Sequence, residues 1–237
     1  MYRLKRSLLA LLIVISAITF DTAFIAYGST FHRQWLRNKV ASKVFEIRGG
    51  IEHSSGGATG FAIKGLSGMS YIITNAHVCE EVLRETKSQN LLFVKKDGHL
   101  LKRRVLEIFD TTDLCLIEGW PGVEGLSVGK DLDIGSVVYE VGHPHLMPTS
   151  MVEGELFAYT NLYAMRPFPD KTAHLSLHRF EEVDAMETTV PTFPGNSGSP
   201  LVDTFGNVVG IIYATDLKTS WGYAVNLENI SFALKDF

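Results

Sequence analysis

Cysteine is scarce: Cys79 and Cys115 are the only two in 237 residues. Two cannot build a disulfide-dense scaffold, so a packed apolar core must hold the chain. Beyond the first six positions no basic run is longer than Lys102-Arg103-Arg104 and the net charge is −4, which leaves no electrostatic footprint for nucleic acid. The acidic excess is too small to imply a charged substrate. Metal-ligand sets are missing as well. His143-Pro-His145 has no third or fourth partner at ligand spacing and reads as a structural loop, while His174, His178 and Glu181-Glu182 read as solvated surface. Neither a metal nor a cofactor is expected.

What is present suits a globular protein. With 46% hydrophobic and 20% charged residues, there is material for one large or two small cores and no sign of disorder. Met1 to Arg6 is basic, and Ser7 to Phe20 is uncharged and mostly apolar, the order of an export signal. Continuing past Asp21 through Ala23 to Tyr27 would lengthen the run to the ~20 residues that a bilayer needs, and Ala26-Tyr27-Gly28 offers small residues for cleavage. Residues 1–28 are therefore a cleaved signal peptide or an uncleaved anchor, with membrane attachment through 7–27 in the second case. Either one exports the remainder, which is then secreted, periplasmic or membrane-anchored. Residues 29–43 read as a linker or a short helix.

From residue 44 onward, short runs rich in β-branched and aromatic residues alternate with glycine turns: 44–48, 59–64, 71–74, 90–95 and 100–109 before Trp120-Pro-Gly-Val-Glu-Gly125, and 136–141, 150–159, 183–189, 201–202, 207–214 and 222–226 after it. This spacing predicts an all-β barrel or sandwich in two halves, about 44–122 and 123–237. Asp97-Gly98 is a hairpin turn, and the residues after His77 predict one or two helical turns.

One stretch organises the rest. In Thr192-Phe-Pro-Gly-Asn-Ser197-Gly-Ser-Pro-Leu-Val202, glycines flank the serine segment and prolines stiffen it, so the turn is preformed and Ser197 is presented rather than buried. The N–H groups of Gly195, Asn196 and Ser197 can point into one concavity, as a developing oxyanion requires. A serine hydroxyl is a weak nucleophile without a base, and a base needs an orienting acid. His77 follows the apolar run 71–74, and Asp113 stands at the mouth of Leu114-Cys-Leu-Ile117. Asp110 competes for the role of acid, but it is better placed to cap its turn.

These segments, together with Gly60-Phe-Ala-Ile63, Val141-Gly-His-Pro144, Asn207-Val-Val-Gly-Ile211 and Gly222-Tyr-Ala-Val225, resemble the chymotrypsin-fold serine endopeptidases, and within them the HtrA/Deg-like, trypsin-like group. The resemblance covers nearly all of the chain beyond its N-terminal segment. It implies two six-stranded antiparallel β-barrels, a catalytic triad of His77, Asp113 and Ser197 in the cleft between them, and a polypeptide substrate. It also implies pocket walls from Thr192, Phe193, Ile212, Tyr213, Ala214, Gly222 and Tyr223. None of these is charged, so a small or medium apolar residue is expected at the cleaved position. Asn196 is neutral and cannot pair with a newly cut N-terminus, so activation by that route is not expected. Cys79 and Cys115 each lie two residues beyond a triad member; a disulfide and a pair of buried thiols both stand open. The sequence stops shortly after the segment Ala224 to Phe232, so the C-terminal PDZ module of HtrA relatives is not expected, and the oligomeric state has no signature. A catalytically silent trypsin-fold binding protein is the alternative, although such a protein would normally have lost one triad residue.

Overall fold

The computed structural model describes residues 29–48, 57–161 and 184–237. The expectations for 1–28 and for His174, His178, Glu181 and Glu182 lie outside the described residues. By compactness the chain divides into Met1–Asn38 and Lys39–Phe237. A helix, α1, covers 29–41, so the stretch read as a linker or a short helix is helical over most of its length.

The second unit holds two closed barrels. The first contains β1 (Val44–Arg48), β2 (Gly57–Lys64), β3 (Ser70–Thr74), β4 (Leu91–Lys96), β5 (His99–Phe109) and β6 (Leu114–Ile117), in spatial order β1-β2-β3-β6-β5-β4. The second contains β7 (Val137–Gly142), β8 (Ser150–Asn161), β9 (Asp184–Pro191), β10 (Pro200–Val202), β11 (Val208–Thr215) and β12 (Trp221–Val225), in order β10-β11-β12-β9-β8-β7. Every named pairing is antiparallel. Closure leaves no unpaired edge, which is how short strands of this kind avoid sticking to other chains.

Burial fills each barrel separately. Phe45, Ile47, Ile72, Leu92, Val94 and Ile117 pack in the first, and Val138, Leu156, Met186, Leu201, Val209 and Ile212 in the second. Each such side chain contributes about 1.5–3 kcal/mol through its removal from water. The period-2 pattern decides which face points inward: in β4, Leu92 and Val94 are buried while Leu91 is exposed. Asp97 and Gly98 both take positive φ, 48° and 82°, and join β4 to β5 in the expected two-residue hairpin.

Two further helices accompany the barrel strands. α2 (Ala76–Thr86) is three turns long, longer than the one or two the sequence predicts. Val78, Cys79 and Val82 lie on its buried face, and Lys87, in the left-handed region, ends it with N–H bonds back to Leu83 and Arg84 carbonyls. The terminal helix α3 (Leu227–Leu234) was not foreseen; Asn226 caps it by accepting from the Asn229 N–H at 3.1 Å. None of the helices among the described residues is long and apolar enough to cross a membrane.

Cys79 and Cys115 are joined in a disulfide with their Cα atoms 6.5 Å apart, so of the two readings left open the structure takes the bridge. It ties α2 to β6 across a separation of 36 residues. Replacing both cysteines by serine is expected to cost ~2–5 kcal/mol of stability, read as a lower denaturation midpoint; an unchanged midpoint would show that the bridge adds nothing.

Candidate active site

Asp113 occupies an unusual backbone position. It sits at φ 51°, ψ 40° at the end of the short 3₁₀ turn Asp110–Thr112, a left-handed conformation that aspartate tolerates better than most residues. Its side chain is fully buried. One carboxylate oxygen, Oδ1, accepts from the backbone N–H of His77 at 3.0 Å, and the other, Oδ2, meets His77 Nδ1 at 2.9 Å. Its carbonyl accepts from Ala76 N at 3.1 Å and from Asn75 Nδ2 at 3.2 Å. Asn75 makes no side-chain cap of its own, so Asp113 satisfies N–H groups that the start of α2 would otherwise leave unpaired and places negative charge at the positive end of the helix. The same contacts that cap α2 therefore orient the imidazole. Asp113, and not Asp110, is the acid that reaches His77.

Burial by itself would push the imidazole of His77 down, but the charge and hydrogen bond of Asp113, with smaller contributions from Glu81 and Glu80, leave it above the ordinary histidine value. A base of this kind is neutral and active only above its raised pKa. Glu81→Gln removes one of the charges holding it there, so the acid limb of a pH–rate profile is expected to move to lower pH. An unmoved limb would show that Glu81 does not act on the ring. The shift should shrink in high salt.

His77 and Ser197 line one cleft of about 100 Å³, with Gly57, Ala58, Val78, Glu81, Val82 and Glu85. Ser197 is half-buried and is carried by a tight turn. The N–H of Asn196 donates to the Phe193 carbonyl at 3.0 Å, with Gly195 at φ 96°. A positive φ at the third residue of a Pro-Gly turn is the type II geometry. The N–H of Asn196 is thus consumed inside the turn, so of the three hole donors anticipated it is the one withdrawn. Those of Gly195 and Ser197 donate to no acceptor among the described residues. The Pro194 carbonyl accepts from His145 N at 2.6 Å; because the peptide unit is planar and trans, the Gly195 N–H points the opposite way.

The first barrel pins this turn from the other side. Thr59 donates its N–H to the Ser197 carbonyl at 2.9 Å and its hydroxyl to the Gly195 carbonyl at 2.8 Å, and its own carbonyl accepts from Thr74 Oγ1 at 2.7 Å. Gly198 packs so closely against this threonine pair that a Cβ would strike Thr59 O and Thr74 Oγ1. Thr59 carries no motif that the sequence reading could single out; its role appears only when the barrels meet. His143 is a loop residue, as expected, with Nδ1 on the Met147 carbonyl at 3.0 Å.

The anticipated pocket walls divide. Thr192 and Tyr213 are buried beside the serine turn, Phe193 is exposed, and Ile212 belongs to the core of the second barrel. Tyr213 lies close enough to Asp113 for the carboxylate to act on its hydroxyl, which burial already pushes up. The sequence reading missed Glu140, which is fully buried and accepts from Thr192 Oγ1 at 2.5 Å.

Comparison with known proteins places this geometry. Residues 58–211 match the family described as "Trypsin-like peptidase domain". An uncharacterized protein of Sinorhizobium fredii is 29% identical over 77% of this chain and 26% of its own length, and the serine protease Do-like HtrA of Bacillus subtilis is 28% identical over 76% of this chain and 37% of its own. The chain thus spans about a quarter to two fifths of such relatives. Among solved structures, the Rv3671c protease of Mycobacterium tuberculosis in its active form superposes with a TM-score of 0.65 at 17% identity, covering 84% of this chain and 82% of that one.

Proposed function

Since the chain belongs to the trypsin-like peptidase domain family, we propose that it is a serine endopeptidase that hydrolyses peptide bonds through an acyl-enzyme formed on Ser197. The observation that carries this reading is the imidazole of His77, bonded through Nδ1 to the buried carboxylate of Asp113 at 2.9 Å and bordering the same cleft as Ser197. With Nδ1 protonated toward Asp113, Nε2 is the free basic nitrogen. It takes the Ser197 proton as Oγ attacks the scissile carbonyl and returns it to the leaving amine, while Asp113 stabilises the imidazolium in between. The N–H groups of Gly195 and Ser197 receive the oxyanion, each such donor being worth ~2.7–4 kcal/mol of barrier.

The substrate is a polypeptide. A small or medium apolar residue is the proposed preference at the cleaved position, with Thr192, Phe193, Ala214, Gly222 and Tyr223 as the pocket-wall residues. Export is supported by the basic-then-apolar start of the chain, by the disulfide, which persists in oxidising compartments, and by a relative named a probable periplasmic serine endoprotease.

The test is covalent labelling. The purified protein is incubated with a fluorophosphonate and digested, and the modified peptide is identified by mass spectrometry. Label on the peptide containing Ser197 supports the reading; no label, or label confined to another serine, overturns it.

A further inference from the structure

The base of the loop that carries Ser197 is closed by a single residue. Glu140 lies on β7, where its backbone pairs with Leu201 of β10, just after the nucleophile. Its carboxyl reaches the opposite end of the same loop and accepts from Thr192 Oγ1 at 2.5 Å. Thr192 is held further by its N–H on the Ser220 carbonyl at 2.9 Å and by Thr215 Oγ1 on its own carbonyl at 3.2 Å. The next residue, Phe193, opens the turn that orients the Gly195 N–H. We propose that Glu140 is a positioning residue for the nucleophile: backbone to one end of segment 192–201 and carboxyl to the other, it clasps the loop and fixes Ser197 against His77. The proposal rests on the serine endopeptidase reading and deepens it.

The carboxyl suits a clasp that works in its uncharged form. It is completely buried, and its second oxygen, Oε1, has no hydrogen-bond partner among the described residues. Burial pushes its pKa up to about 8, with the Thr192 hydroxyl acting the other way. No charged group among the described residues figures among the causes. Below that pH the neutral acid costs far less to bury than a carboxylate would. Above it, a carboxylate with one donor is left in a site that cannot solvate it, and the loop must loosen to admit water. The other groups near the site act with another sign or at higher pH: loss of the His77 proton, which Asp113 holds above the ordinary value, speeds acylation rather than slowing it, and Tyr213 and Tyr223 are both raised further into the alkaline range.

The experiment compares the full chain with its Glu140→Gln, Glu140→Ala and Thr192→Val variants. The readouts are the rate of fluorophosphonate acylation from pH 6 to 10 and the melting temperature. Wild-type acylation is expected to fall as pH rises through about 8. Glu140→Gln, which keeps the shape and cannot ionise, should stay within roughly 3-fold of wild type at pH 7 and lose that alkaline fall. Glu140→Ala and Thr192→Val should each slow acylation by ~10–100-fold, the scale of a small displacement of reacting groups. Thr192→Val retains the backbone bonds and decides the matter if Glu140→Ala does not fold. Wild-type rates in the folded alanine and valine variants, or an alkaline fall that survives in Glu140→Gln, overturn the clasp while leaving the endopeptidase reading intact. A wild-type protein that does not label at all overturns that reading and the clasp with it.

Discussion

Replacing Ser197 by alanine is expected to lower the turnover of a peptide substrate by on the order of 10⁶-fold while leaving the melting temperature nearly unchanged. The two halves of this result have separate causes. The turn is held by main-chain bonds, from Thr59 N to the Ser197 carbonyl and from Asn196 N to the Phe193 carbonyl, and alanine keeps both. The hydroxyl itself makes no hydrogen bond to any described residue, so its loss removes the proposed nucleophile and no structural contact. Residual hydrolysis of about 10³–10⁴ over the uncatalysed rate should survive, because the hole donors and the binding surface remain. The check is steady-state hydrolysis of a fluorogenic peptide beside a thermal melt. A variant that retains a tenth of wild-type turnover would remove Ser197 from the mechanism.

Asp113→Asn should be the next most damaging change, at about 10⁴-fold in turnover near neutral pH. Both carboxylate oxygens of Asp113 face the ring, Oδ2 at 2.9 Å and Oδ1 at 3.1 Å from Nδ1, and Oδ1 also accepts from the backbone N–H of His77. An asparagine keeps its carbonyl oxygen on the backbone N–H, where the start of α2 needs an acceptor. Its amide NH₂ then faces Nδ1. Two donors cannot share that bond, so the ring shifts its proton to Nε2 and presents Ser197 with a donor where a base is required. The helix survives and the chemistry does not. Measured as kcat together with the melting temperature, a large loss of rate with a modest loss of stability is the expected pair. A rate within tenfold of wild type would mean that the carboxylate does not set the tautomer.

The contrast between Ser197 and Glu140 shows which features could be read in advance. The turn around Ser197 is legible because its geometry is local: glycine and proline fix the backbone whatever surrounds them, and Gly195 at φ 96° follows from that chemistry. His77 and Asp113 are legible as residue types at the mouths of apolar runs. The Asp97-Gly98 hairpin was equally plain. Glu140, by contrast, sits in Val-Val-Tyr-Glu-Val-Gly, where alternation says nothing about whether a glutamate faces water or a neighbouring loop. Thr59 lies in an ordinary strand, and only the approach of the second barrel gives its hydroxyl and N–H the Gly195 and Ser197 carbonyls to hold. Helix α2 outran its expected length because its stability comes from Val78, Cys79 and Val82 packing on β strands, a gain that local propensity does not contain.

The sequence by itself determined the all-β class, the order of the three chemical groups and the preformed serine turn, since each depends on short-range periodicity or on the backbone limits of glycine and proline. The choice of Asp113 over Asp110 was already in the sequence, and the structure bears it out; tertiary structure alone decided that Cys79 and Cys115 are joined, that Asn196 spends its N–H inside the turn, and that a buried glutamate underlies Thr192. Those outcomes depend on which atoms are brought within about 3 Å of one another and cut off from water, and distance and dielectric are properties of the folded chain.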